Sequence, residues 1–353
     1  MLGLNNTASA RVPYDWRALI SLDILPGYSF SDRLTFRFNP EAVKPDQTTY
    51  VIRRHGGGFF SIVSSVIAHL EFANKLGAEP FVDLTNPRCT YWDSSAGGPI
   101  TNNAWEYFFE PVSSLGFNDA FAAGKVILSS GDHPHGATTN LSTRLDLAAM
   151  ADQVIKPLPE VWSAVEKAQA DLGLGHKCLA VHFRGQEMRR AAGHPLPPSR
   201  SQMVDAIKRA LDFGSFESIF VVSEGTENLR SLKRVFGHRI VYTDSFRLYR
   251  RNSYRTNPRP SHRYLLGFEI LRDAMLMARC GGLVHGDSNV SEFVRFLRRD
   301  DFLVRIGIDN GVNVGRGLMR HGLWYGRQVL PKSLGGFGHD FEVVLAGHPR
   351  RAL

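Results

Sequence analysis

From residue 179 onward, short β-branched runs alternate with amphipathic helical patterns, and this alternation constrains the fold more than any other feature. Leu179-Ala180-Val181-His182-Phe183 reads as a buried strand. A helix over 200–211 follows, with apolar Met203, Val204, Ile207 and Leu211. Strands over 219–222, 240–242 and 283–285 then alternate with helices over 227–235, 265–278 and 290–297. This rhythm predicts an α/β fold with a parallel sheet covered on both faces.

The first half is less regular. Residues 1–46 carry no long pattern and many prolines. A β-branched strand over 48–53 runs into His55 and three glycines, then a helix from about 60 to 76 stopped by Gly77, then a strand over 80–84. Residues 85–124 read as loop with one short aromatic helix over 105–109, and 126–128 as a strand. Helices over 144–154 and 160–172 are separated by Pro157 and Pro159, the expected domain boundary. A chain of 353 residues suits two domains. Two α/β halves facing each other form a cleft, and such sheets bind ligands at the carboxyl ends of their strands.

Several classes fall away on composition. No apolar run approaches the roughly 20 residues of a membrane span. The block Ala18 to Leu22, interrupted by Asp23, is too short for a secretory signal. Cys89, Cys178 and Cys280 are too few and scattered for a disulfide framework or metal cluster, and read as small buried hydrophobes in a reducing cytoplasm. The net charge is +8, yet residues 230–272 alone hold eleven Lys and Arg against Asp244 and Glu269, a local +9. That field implies an anionic partner or a solvated loop. Phe246, Tyr249, Tyr254 and Tyr264 interleave with it, but no nucleic-acid module is recognisable, so nucleic acid is not expected.

The strand ends single out the site candidates. The strand at 179–183 delivers Arg184, with His182 inside it and Glu187 just beyond; that at 219–222 delivers Ser223 and Glu224. The strand at 283–285 delivers Asp287, Ser288, Asn289 and Ser291, and that at 48–53 delivers His55, Gly56, Gly57 and Gly58. Backbone amides of a glycine loop at a helix start make an anion site, or merely a strand-to-helix turn. Ser288, Asn289 and Ser291 read equally as phosphate ligands or as a helix cap, with Asn289 and Glu292 at capping spacing. Arg184 at a buried strand's end requires a partner, either a carboxylate (Glu187 or Glu224) or a diphosphate held by two parallel bonds. Asp132-His133-Pro134-His135 reads as loop. No Asp-x-Asp occurs to hold a divalent cation beside a diphosphate, and there is no Gly-x-Ser-x-Gly elbow.

Together these blocks resemble the fucosyltransferase superfamily, which contains NodZ-like α1,6-, α1,2- and protein O-fucosyltransferases. Leu179 to Glu187 is similar to its His-x-Arg-Arg-x-Asp motif. His55 to Phe60 with the following helix and Glu79 to Asp83 is similar to its glycine-loop block. Val221 to Gly225 and Asp273 to Ser291 are similar to its second and third motifs, and Ala104 to Pro111 resembles bacterial members. The likeness covers roughly residues 48–298. It departs at Gly185, where the motif has a second arginine, and at Glu187, where it has aspartate; Arg189 or Arg190 are the candidates to compensate.

The resemblance implies a GT-B glycosyltransferase with two Rossmann-like domains facing a central cleft. Residues 1–157 would form the acceptor side. Residues 158–353 would form the donor side, with the C-terminal segment a candidate to return to the first domain. It implies metal-independent, inverting transfer of L-fucose from GDP-fucose to a glycan, with no cofactor or metal. Arg184 and Glu187 would be catalytic, with Asp83 a rival base. His55, Gly56, Gly57, Gly58, His182, Arg184, Ser223, Glu224, Ser288, Asn289 and Ser291 would bind the donor. The alternatives are another nucleotide sugar or a decayed sugar-nucleotide- or glycan-binding relative, which Gly185 keeps open. The basic surface suggests a cytoplasmic enzyme acting on a lipid-linked saccharide or lipopolysaccharide, with at most peripheral membrane contact. Within 230–272, Arg247 is expected to face the donor, and Arg250, Arg251, Arg255 and Arg259 to be exposed and mobile.

Overall fold

The structure, a computed structural model, describes residues 34–54, 56–94, 101–129, 147–249, 258–317, 319–346 and 351–352, with side chains 186, 187, 320, 351 and 352 left out. His55, the segment 132–135, and Arg250, Arg251 and Arg255 lie outside the described residues.

Two sheets organise the chain. The first has the order β1-β4-β2-β3, from β1 (Thr35–Phe38), β2 (Thr48–Arg53), β3 (Glu79–Asp83) and β4 (Lys125–Leu128). β2 pairs parallel with both neighbours, and β1 is an antiparallel edge. Helix α1 (Phe59–Lys75) follows β2 and is buried on almost every side, which its hydrophobic sequence allows.

The second sheet has the order β11-β10-β9-β8-β5-β6-β7. Its parallel centre comprises β5 (Cys178–His182), β6 (Ser218–Val222), β7 (Ile240–Val241), β8 (Gly282–Gly286) and β9 (Val304–Ile308). β10 (Glu342–Leu345) and β11 (Arg351–Ala352) add antiparallel, so the described C-terminal segment extends this sheet instead of returning to the first. The helices are α2 (Phe117–Ala122), α3 (Ala148–Val154), α4 (Pro159–Leu172), α5 (Arg200–Phe213), α6 (Thr226–Phe236), α7 (His262–Ala278), α8 (Asn289–Leu297) and α9 (Met319–Val329).

One hydrophobic cluster joins the two sheets: Tyr50, Val66 and Phe109 share it with Ala180, Phe220, Leu283 and Phe293. The rings of Phe60 (α1) and Phe293 (α8) stack at 4.4 Å between centroids. The other face of the second sheet has its own core around Val181, Met203 and Ile306.

Four expectations change. Residues 105–109 are a run of turns, not a helix: Asn103 Oδ1 accepts from the Trp105 amide, and four aromatic side chains are buried in nearly every direction. The loop reading of 85–124 missed α2, and the patternless reading of 1–46 missed β1, whose residues are mostly exposed and so carry no alternation. Past 298, where no strand or helix is expected from pattern, the structure adds β9, α9, β10 and β11. β9 escaped because Arg305 interrupts its apolar run; the side chain is fully buried and neutralised by Glu342 (3.0 and 3.1 Å) and Asp300 (2.9 Å).

Candidate donor site at the switch point of the second sheet

From β5 the chain winds outward through β6 and β7, then crosses back to add β8 and β9 on the other side of β5. The crevice between the carboxyl ends of β5 and β8 is therefore the topological switch point, where open α/β sheets bind ligands. Arg184 follows β5, and Asp287 and Ser288 follow β8. The Arg184 guanidinium donates to the Asp287 carbonyl at 3.1 Å, so the cation sits at the start of α8. Of the two carboxylates expected to pair with Arg184, Glu224 lines the same pocket, and the Glu187 side chain lies outside the described residues. Beside it a pocket is walled by His182, Arg184, Gly185, Ser223 and Glu224 from the sheet, Ser245 and Phe246 after β7, and Leu266, Glu269 and Asp273 from α7.

Ser288, not Asn289, is the N-cap of α8: its Oγ accepts from the Ser291 amide at 3.1 Å. Ser291 is wholly buried, and its hydroxyl donates to the carbonyls of Gly286 and Ser288, both at 2.9 Å. Its expected role as a phosphate ligand fails for that reason. Asn289 opens the helix, and the amides of Asn289 and Val290 lie ahead of the first intrahelical bond. Positive helix-end charge and Arg184 thus converge on one place.

His182 is buried, with Nδ1 3.2 Å from Ser288 Oγ. Burial, then the Arg184 charge, lowers its pKa to about 3. His285, its register partner on β8, is lowered to about 3 by burial and then by Arg305 and Arg295. Both rings are neutral near pH 7. Asn228 of α6 ties Ser223 into the site, donating to its Oγ at 3.1 Å and to the Arg184 carbonyl at 3.3 Å.

The basic segment plays a structural part that the sequence concealed. Asp273 of α7 accepts from Thr243 (2.9 Å), Ser245 (2.7 Å) and Arg272 (3.2 Å), and burial raises its pKa. Arg247, expected in the donor cleft, instead donates to the carbonyls of Thr243, Ser245 and Ser223 at 2.9, 2.7 and 3.1 Å, fixing the backbone that presents Phe246. Arg259, expected exposed, makes a two-point bond to Glu269 at 2.7 and 2.9 Å, and Glu269 also receives the Phe246 amide. The sequence signal was there: acids at 269 and 273 and Arg272 all fall within one helix.

The first half contributes less directly. Gly57 has φ of 110°, a conformation that glycine tolerates at the β2–α1 turn. Gly58 precedes α1, but the Phe59 amide is taken by the Tyr91 hydroxyl at 2.8 Å. Gly56, Gly57 and Gly58 are not among the pocket walls; the Phe60–Phe293 stack sets their turn beside α8. Asp83 is engaged by Arg53 (3.0 Å) and Thr85 (2.7 Å). Arg189 lies over Trp324 at 3.7 Å, so its guanidinium is stacked on α9. Glu187 begins a 3₁₀ turn over Gln186–Arg190 with Gln186. Asp287, a strand-end candidate given no role in catalysis or donor binding, has its pKa raised by partial burial and then by Glu292 and Asp309. Cys89, Cys178 and Cys280 are buried. Among the described residues no group of three or more His, Cys, Asp or Glu is placed to hold a metal.

No protein-family model matches the chain. No curated protein sequence matches it either. Solved structures do match. NodZ α-1,6-fucosyltransferase co-crystallised with GDP aligns with a TM-score of 0.52 at 16% identity, over 75% of this chain and 96% of that one. NodZ soaked with GDP-fucose aligns with 0.52 at 15%, over 75% and 96%. Selenomethionyl NodZ from Bradyrhizobium aligns with 0.53 at 14%, over 85% and 99%. The two parallel-rich sheets thus form a fucosyltransferase-like GT-B fold.

Proposed function

We propose that the protein is a metal-independent, inverting glycosyltransferase that moves L-fucose from GDP-fucose to a glycan acceptor. Residues 158–353 would form the donor domain and 1–157 the acceptor side. The observation that carries the reading is Arg184, hydrogen-bonded to the Asp287 carbonyl at the N-terminus of α8 and at the switch point of the sheet. In NodZ, the same fold was co-crystallised with GDP and soaked with GDP-fucose.

The chemistry follows from where charge develops. The acceptor oxygen attacks the anomeric carbon of fucose from the face opposite the diphosphate. The bond to the diphosphate oxygen breaks, and GDP departs with growing negative charge. Arg184 and the leading amides of α8 are preorganised for that charge and need no reorganisation as it forms. Neutral His182 buttresses Ser288 without adding a second cation. The acceptor proton goes to a carboxylate: Glu187, two residues past Gly185, or Asp287, whose raised pKa suits a base. Gly185 leaves Arg184 as the leaving group's main side-chain counter-charge, because Arg189 is stacked on Trp324.

A thermal-shift panel with GDP, UDP and ADP tests the donor. GDP should raise Tm most, by mass action on the native state, and EDTA should not reduce the shift. Equal shifts for all three nucleotides would reject a guanosine donor, and a shift abolished by EDTA would reject a metal-independent site. Release of GDP from GDP-fucose by wild type but not by Arg184→Ala separates an enzyme from a decayed binder.

A further inference from the structure

α9 has two unlike sides. Trp324 is 2% exposed, donates its indole N–H to the Pro197 carbonyl at 2.7 Å, and carries Arg189 on its ring. The opposite side is bare: Met319 is 73% exposed, Tyr325 43%, Val329 80% and Leu330 44%. At about 100° per residue, Met319, Gly322, Gly326, Val329 and Leu330 share an arc of about 100° that holds no charged residue. Exposed apolar residues continue past the helix at Leu334, and before it at Val312 and Val314, beside the 3₁₀ turn on which α9 packs.

The charges around this stripe have one sign. Residues 310–339 contain Arg316, Arg320, Arg327 and Lys332 and no Asp or Glu. Arg316 is exposed, and Arg327 is held by the carbonyls of Asn310 and Gly335, so no carboxylate compensates it. Lys332 meets Asp340 at the border of the segment, and His339 at its end meets Asp205 of α5. An uncharged apolar stripe flanked by cations is the composition of a helix that lies in the plane of lipid headgroups. A second copy of the chain would cover the stripe, but a twofold contact would set these cations against themselves. Charge complementarity therefore selects an anionic surface.

We propose that the α9 face docks this protein on an anionic lipid bilayer. Since α9 packs on the Gln186–Arg190 turn, which starts two residues after Arg184, docking would hold the mouth of the donor crevice near the headgroups. That consequence rests on the proposed transferase function; the docking itself does not.

The test is co-sedimentation of the full chain with vesicles of phosphatidylcholine alone and of phosphatidylcholine mixed with phosphatidylglycerol. Binding to the mixed vesicles is expected, weakening as salt is raised. The variant Met319→Ser/Val329→Ser/Leu334→Ser should bind them at least about tenfold more weakly, since three apolar side chains no longer enter the interface. Its thermal shift with GDP should equal that of wild type, which shows an intact fold and keeps this result separate from the donor assignment. Equal binding to both vesicle types, no binding, or an unaffected triple variant would overturn the proposal. So would a concentration-dependent dimer that the triple variant abolishes.

Discussion

Arg184 and the two buried histidines carry the sharpest consequences at the scale of single residues. Arg184→Lys keeps the charge but loses the planar fork that matches a diphosphate, so kcat should fall about 10²–10³-fold, equivalent to about 2.7–4 kcal/mol. Steady-state kinetics check this, and turnover within a few-fold of wild type would make Arg184 structural. His182 and His285 have folded pKa values of about 3 against 6.5 for the free side chain. Between those limits the unfolded chain binds protons that the folded chain does not, so their contribution is whole above about pH 6.5 and is lost as pH falls towards about 3. Each histidine then removes about 1.4 kcal/mol per pH unit. Urea unfolding should show about 4 kcal/mol less stability at about pH 5 than at about pH 7, and His285→Asn should remove about half of that loss. An unchanged slope in the variant would mean that its ring is already charged or exposed in the native state. Arg184 was legible because a strand pattern ending in a cation is visible in one dimension. The neutrality of His182 was not, because it comes first from burial, which only the folded chain decides.

Among elements, α8 and α7 do most to build the site. Ser288→Ala removes the α8 cap and the partner of His182 Nδ1, and should cost about 1 kcal/mol in chemical denaturation. GDP affinity should fall with it, since the leading amides of α8 fray. On α7, Arg259→Ser would leave the Glu269 carboxylate without its two-point partner, at a cost of about 1–3 kcal/mol. Because Glu269 also holds the Phe246 amide, isothermal titration should show weaker GDP binding. Unchanged stability and affinity would return Arg259 to the solvated loop that its charge first suggested. Sequence patterns located α7 and α8 to within three residues. Apart from the adjacent Arg272, their partners were not readable, since the other groups that Asp273 and Glu269 hold lie 10 to 30 residues away in the chain.

At the scale of the whole molecule, the shared core makes a further prediction. The Phe60–Phe293 stack and the cluster around it join both sheets, so the chain should unfold in one calorimetric transition, and Phe293→Ala should lower it by about 3–5 kcal/mol. Two resolved transitions in wild type would show that the halves fold independently. The amino-acid sequence by itself determined the α/β alternation, the strands β2 to β8, the helices between them except α2, and the identity of Arg184. These follow from side-chain periodicity and from breakers such as Gly77, both local properties. Only the tertiary structure decided that Ser291 is spent on Gly286, that Arg247 and Arg259 brace a loop, and that Arg189 stacks on an α9 invisible to pattern. A polar or charged side chain is functional or structural according to which group neutralises it. That group reaches it through folding across chain separations over which no local pattern extends.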